Sequence, residues 1–162
     1  MRARRALLAL ALVPGLGWAL AGGPLTKAAS AAGFGPAVLA ELNHVRRSHR
    51  LPAVHVDRRM SATAAAYSRS MARHGFFAHG AWDARVARAS GEAHAVGETL
   101  GWMTRATPRR EAVSMVHGWL NSPPHRAILL DGRFRRIGIG RGAGRLGGDA
   151  AAIYTVDWAS AR

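Results

Sequence analysis

Phe134-Arg135-Arg136-Ile137-Gly138-Ile139-Gly140 and Ala152-Ile153-Tyr154-Thr155-Val156-Asp157-Trp158 are the stretches that decide the fold class. Both concentrate β-branched and aromatic residues in short runs. The glycine-rich stretch 140 to 148 lies between them, so two strands joined by a loop are expected. Gly138-x-Gly140-x-x-Ala143 partly matches a dinucleotide-binding pattern, but no helix follows it, and a strand end with a hairpin turn is the better reading.

Upstream the periodicity is helical. Pro36 suits a first helical position, and Val38, Leu42 and Val45 follow at i, i+4, i+7, predicting a helix to about His49, closed by Leu51-Pro52. Asp57 is placed to cap a second helix with the buried stripe Met60, Ala64, Tyr67, Met71 and a C-cap at Gly75. A short helix is expected from Trp82 to Ala89, then Gly97-Glu98-Thr99-Leu100 as strand or loop. Thr107-Pro108 opens a third long helix with Ala112, Met115, Val116 and Trp119 on one face and Glu111 near its positive end. Asn121-Ser122-Pro123-Pro124 closes it and starts a short turn through Leu130. Helices first and strands last, without βαβ alternation, define an α+β chain.

The amino terminus reads as an export signal. Arg2, Arg4 and Arg5 precede an apolar run from Ala6 to Leu20, and Ala19-Leu20-Ala21 has the small-x-small form of a cleavage site. The expected organisation is a signal over 1–21, a flexible leader over 22–35 and one folded domain over 36–160. The expected location is secreted, either extracellular or periplasmic, with no stable membrane span in the mature form. Losing a signal with three arginines and no acids lowers the formal charge from +14 to +11. Such a charge favours anionic partners, here cell-envelope components rather than nucleic acid, because no basic stripe with interleaved aromatics is present. All but one of the permanently charged basic residues are arginine, Lys27 being the exception, and with the many alanines this also reflects a GC-rich composition. The chain has no cysteine, so stability must come from packing rather than disulfides.

Three segments set proton-active side chains at the edges of apolar runs: Phe76-Phe77-Ala78-His79, Gly97-Glu98-Thr99-Leu100 and Trp119-Leu120-Asn121-Ser122-Pro123-Pro124-His125-Arg126. Together with Leu42-Asn43-x-x-Arg46, Tyr67-Ser68-x-x-Met71-Ala72 and Ile137-Gly138-Ile139-Gly140, they form an ordered series. In that series the chain resembles the CAP superfamily, also called SCP-like or cysteine-rich secretory protein domains, in its cysteine-free bacterial form. The resemblance runs from about Leu42 to Trp158. It implies an α-β-α sandwich with a central antiparallel sheet between helical layers and a surface cleft of histidines and glutamates able to bind a divalent metal.

Carried onto this chain, His79 and Glu98 are the family's histidine and glutamate, and His125 is the histidine of the bacterial motif. Two imidazoles and a carboxylate are the ligand set of an open site for zinc or another divalent metal. Without metal, the same trio serves as a hydrogen-bonded brace. Ser122 stands where many animal members carry a second glutamate, no second histidine precedes the last strand, and Thr99 and Ile128 replace usual asparagines. Ser122 and Arg126 complete the expected cleft, with Asp131 or Asp157 as ion-pair partners for Arg126. His117 lies on the flank of its helix and is a minor candidate to reach the cleft, and Trp82 and Trp102 are candidates to line it.

The resemblance and the basic surface together imply a non-enzymatic binding module for a metal, a small apolar ligand or a cell-envelope component. The alternative is a metal-dependent, protease-like hydrolase using the same cleft. Against the latter, the chain has no cysteine nucleophile and no His-Glu-x-x-His, and Ser122 is better suited to capping a helix than to attack.

Overall fold

The computed structural model describes residues 33–161 apart from 92, 105 and 106. The expected signal and all of the leader up to residue 32 lie outside the described residues. The elements run α1 (Phe34–Ser48), β1 (His55–Val56), α2 (Arg58–His74), α3 (Trp82–Ser90), β2 (Val96–Met103), α4 (Pro108–Leu120), α5 (Pro123–Leu129), β3 (Phe134–Leu146) and β4 (Asp149–Ser160).

The strands form one sheet in the order β1-β3-β4-β2, antiparallel except for the two-residue β1, which lies parallel to β3. Helices α2 and α3 cover one face, and α1, α4 and α5 cover the other, giving the expected α-β-α sandwich. Central strand β4 is buried from Ala151 to Ser160, and its side chains alternate between two cores. Ala152, Tyr154, Val156 and Trp158 pack with Val38, Leu42, Val116 and Trp119 in the larger core. Ile153 meets α2 through Met71, and Ala159 packs with Met60 of α2 and Val86 of α3.

Local signals placed the helix ends well. Asp57 caps α2, accepting from the amides of Arg59 at 2.9 Å and Met60 at 3.1 Å. Burial alone would raise its pKa, but the Met60 amide and the Arg136 guanidinium at 3.0 Å hold it below the ordinary value. Gly75 ends the helix in the left-handed conformation at φ 66°. Helix α1 starts two residues earlier than Pro36, because Phe34 is buried against Tyr154 with ring centroids 4.4 Å apart. Residues 34 and 35 therefore belong to the fold rather than to a leader.

The glycine-rich stretch departs from expectation. It continues strand β3 to Leu146, and the turn consists of Gly147 and Gly148, both at positive φ. Gly138, Gly140, Gly142 and Gly144 recur every second residue and so share the face toward α2. Opposite them stand Met60, Ala64, Ser68 and Ala72, which recur every fourth residue along one helix ridge. A Cβ on any of these glycines would sit under 3.0 Å from helix backbone. The run of glycines is a groove that lets α2 rest directly on the sheet.

Two family-signature residues near the start have structural duties. Asn43 exchanges two hydrogen bonds with the backbone of Val54, at 2.8 and 2.9 Å. Arg46, wholly buried, donates to the carbonyls of Pro52, Leu129, Asp131 and Phe134 at 2.7 to 3.2 Å, tying α1 to the end of α5.

Candidate functional site

The site is built on the first half of β2. Glu98 points from this edge strand toward the α2 and α3 layer, and its side chain is fully buried. Nδ1 of His79 donates to Oε1 of Glu98 at 2.6 Å. His79 itself lies in the loop after α2, which is pinned by the Tyr67 hydroxyl donating to the Ala78 carbonyl at 2.7 Å. Gly80, at φ 57°, turns the chain beside that hydroxyl, where a Cβ would come within 2.8 Å of it.

The second oxygen of Glu98 accepts from Nη2 of Arg85 on α3. The same guanidinium reaches Asp157 through Nη1, at 3.2 and 3.3 Å to the two carboxylate oxygens. Its Cζ lies 4.0 Å from the centroid of the Tyr67 ring. Glu98 and Asp157 are direct register partners on β2 and β4, so two carboxyl groups sit side by side in the interior. Burial above all, with the neighbouring Glu98, pushes Asp157 up to about 7 against the opposing pull of Arg85. Burial and Glu98 also raise the Tyr67 phenol.

His125 sits near the start of α5, in the opposite helical layer, and is partly buried. Its pKa is lowered, first by burial and then by the charge of His79, which places the two imidazoles within electrostatic reach. His79 and Glu98 are bonded to each other and His125 senses the charge of His79, whereas Ser122 and Arg126 form no hydrogen bond or ion pair with any of the three. Ser122 is the N-cap position of α5, with its carbonyl accepting from the Arg126 amide at 2.8 Å. The proposed partners of Arg126 are taken: Asp131 pairs with Arg133 at 2.6 Å and Asp157 with Arg85. His117 turns instead to Glu41 on α1 at 3.3 Å. Trp82 packs against the smaller core, and Trp102 is 44% exposed at the far end of β2.

The departures from the family pattern also find their places. Thr99 is buried and its hydroxyl accepts from the Trp158 indole at 3.3 Å, replacing an amide partner. Ile128 packs against the larger core.

The implied metal does not fit the side chains as they stand. Both Glu98 oxygens are engaged, and among the described residues no group of three or more His, Asp or Glu side chains is arranged to hold a metal ion. Sequence reasoning missed Arg85 altogether. The available signal was Asp157, a carboxylate in the middle of an apolar strand, which requires a nearby cation or proton.

A groove of about 500 Å³ opens beside this network between α2 and α3, lined by Arg59, Thr63, Tyr67, Ala84, Arg85 and Arg88 among others. Arg59 and Arg88 stand exposed on its two walls, neither paired with an acid among the described residues. No helix among the described residues is long and apolar enough to cross a membrane.

The model of the cysteine-rich secretory protein family, CAP, matches residues 39–157, and the chain belongs to that family. Among solved structures, an extracellular SCP-domain protein from Bacillus anthracis is similar at TM-score 0.61 and 25% identity, covering 86% of this chain and 45% of that one. An outer surface protein from Borrelia burgdorferi matches at TM-score 0.63 and 16% identity, over 80% of this chain and 93% of that one. A cysteine-rich secretory protein from Staphylococcus aureus matches at TM-score 0.52 and 17% identity, over 78% and 39% respectively. This chain thus spans less than half of the Bacillus and Staphylococcus proteins. No curated protein sequence matches.

Proposed function

We propose that this chain is an exported, non-enzymatic binding module that holds an anionic cell-envelope component in the groove between α2 and α3. The observation that carries this reading is the groove itself: Arg59 and Arg88 offer uncommitted guanidinium groups from opposite walls. A planar, always-charged fork suits carboxylate or phosphate groups along a polymer. The small side chains of Ala81, Ala84 and Ala89 leave room for a sugar or phosphate unit between them.

The test uses a short labelled oligogalacturonate as the anionic probe. Replacing Arg59 and Arg88 by alanine should weaken binding by about tenfold or more, as losing a charge-assisted contact does. Replacing exposed Arg47 and Arg110, which removes the same charge from α1 and α4, should leave it nearly unchanged. Equal losses from both pairs would mean that net charge rather than the groove holds the probe. Lipid extraction and mass spectrometry of the purified protein test the apolar-ligand alternative, and a stoichiometric lipid would replace the anionic reading.

One observation favours a hydrolase as the second reading. The bond from His79 to Glu98 orients the imidazole as a general base would be oriented. However, no serine or threonine hydroxyl among the described residues bonds to His79. Hydrolysis of a peptide and ester panel that His79→Ala abolishes would establish it.

A further inference from the structure

We propose that Arg85 is the resident cation of this site, occupying the position where a divalent metal would otherwise neutralise Glu98 and Asp157. The need for a cation comes from the sheet register. Glu98 and Asp157 are paired across neighbouring strands, both with fully buried side chains, and two such carboxylates repel at short range. Some positive charge must lie between them, or protons must bind. Arg85 supplies that charge from α3, one Nη atom directed to each carboxylate.

The rest of the surroundings suit a guanidinium rather than a metal. The Tyr67 ring lies 4.0 Å from Cζ, a flat aromatic surface that favours a planar cation and contributes no charged ligand. The Arg85 side chain is only 17% exposed, so it is not a surface residue that happens to lean inward. With Oε1 of Glu98 given to His79 and Oε2 to Arg85, no carboxylate oxygen of Glu98 is left to a metal. His79, Glu98 and Asp157 would be released together only by removing the guanidinium. Arg85 and Tyr67 also line the groove, but this inference concerns the charge balance of Glu98 and Asp157 and does not depend on what the groove binds.

The experiment is zinc titration by calorimetry on the full chain, with Arg85→Ala and with Arg85→Ala combined with Glu98→Gln. The wild type should show no binding that depends on Glu98. Arg85→Ala should gain one zinc site, and the added Glu98→Gln should remove it again. Zinc should also raise the thermal midpoint of Arg85→Ala and leave that of the wild type unchanged. A folded Arg85→Ala that takes up no zinc overturns the proposal. So does a wild type that binds zinc stoichiometrically and loses it on Glu98→Gln. Should Arg85→Ala fail to fold even with zinc present, the more conservative Arg85→Gln is titrated in its place. The His79 ring resonances of the wild type are then followed by NMR during zinc addition: no shift supports the assignment, and a saturating one-to-one shift refutes it.

Discussion

Asp157 on β4 lies directly across from Glu98 on β2, and the two buried carboxyl groups share the guanidinium of Arg85. This three-way arrangement joins the central strand, the edge strand and α3 at one point. It also makes the site sensitive to pH in a defined direction.

Asp157 has a folded-state pKa near 7, above the ordinary aspartate value of an unfolded chain, chiefly because of burial. The folded state therefore holds the proton more tightly. The stability contributed is complete below about pH 4 and is lost as pH rises toward 7. Urea unfolding of the wild type and Asp157→Asn at pH 4.5 and 7.5 should show the wild type losing stability by a few kcal/mol relative to the variant at the higher pH. A constant difference between the two proteins would refute the assignment.

His125 carries the opposite sign. Its pKa is depressed by burial and by His79, so its contribution is present above about pH 6.5 and is lost as pH falls through the folded-state value. In an NMR titration the His125 ring should show a midpoint below that of an exposed histidine. His79→Ala should move that midpoint upward. An unchanged midpoint in the variant would show that the two rings do not sense each other.

Two glycines in different settings predict substitutions of opposite effect. Gly140→Ala drives a methyl into the backbone of Ala64 and Ala65, and overpacking of this kind costs about 1–3 kcal/mol or more. Gly118→Ala, on the exposed face of α4 with nothing within 4 Å, should stabilise by up to about 1 kcal/mol through helix propensity. Denaturant midpoints of the two variants should move in opposite directions.

Arg46 should be among the most costly residues to lose. Arg46→Ala removes a charged donor from four carbonyls, two of them bonded within the buried interior, at roughly 3 kcal/mol, although those of Asp131 and Phe134 keep a second donor in the Phe134 amide and Arg135. Arg46→Lys cannot reproduce the planar fork and should recover only part of the loss. Full recovery by lysine in thermal unfolding would mean that charge, rather than geometry, is what matters at this position.

Much of the candidate site was legible in the chain, and the reason differs by residue. His79 and Glu98 stood out through their motifs, and the structure joins them at 2.6 Å. Arg126 was drawn in by its neighbour His125, yet one helical step turns it outward to solvent. Arg85 had no motif to mark it. Its partner Asp157 lies 72 residues away, and that pairing comes into being only when α3 packs onto the sheet.

By itself, the sequence determined the helices, their caps and the family. These rest on interactions within a few residues, such as Asp57 with the amides just after it or Gly75 at a left-handed turn. Tertiary structure alone decided that the chain beyond Gly140, with Gly142 and Gly144, is strand rather than loop, because the fitness of those glycines is measured against the ridge of α2. It also decided the charge balance of the site. Strand register places Glu98 beside Asp157, and like charges out of water must then take up a proton or a cation from whichever element is packed above them. Here that element is α3, and the cation is Arg85.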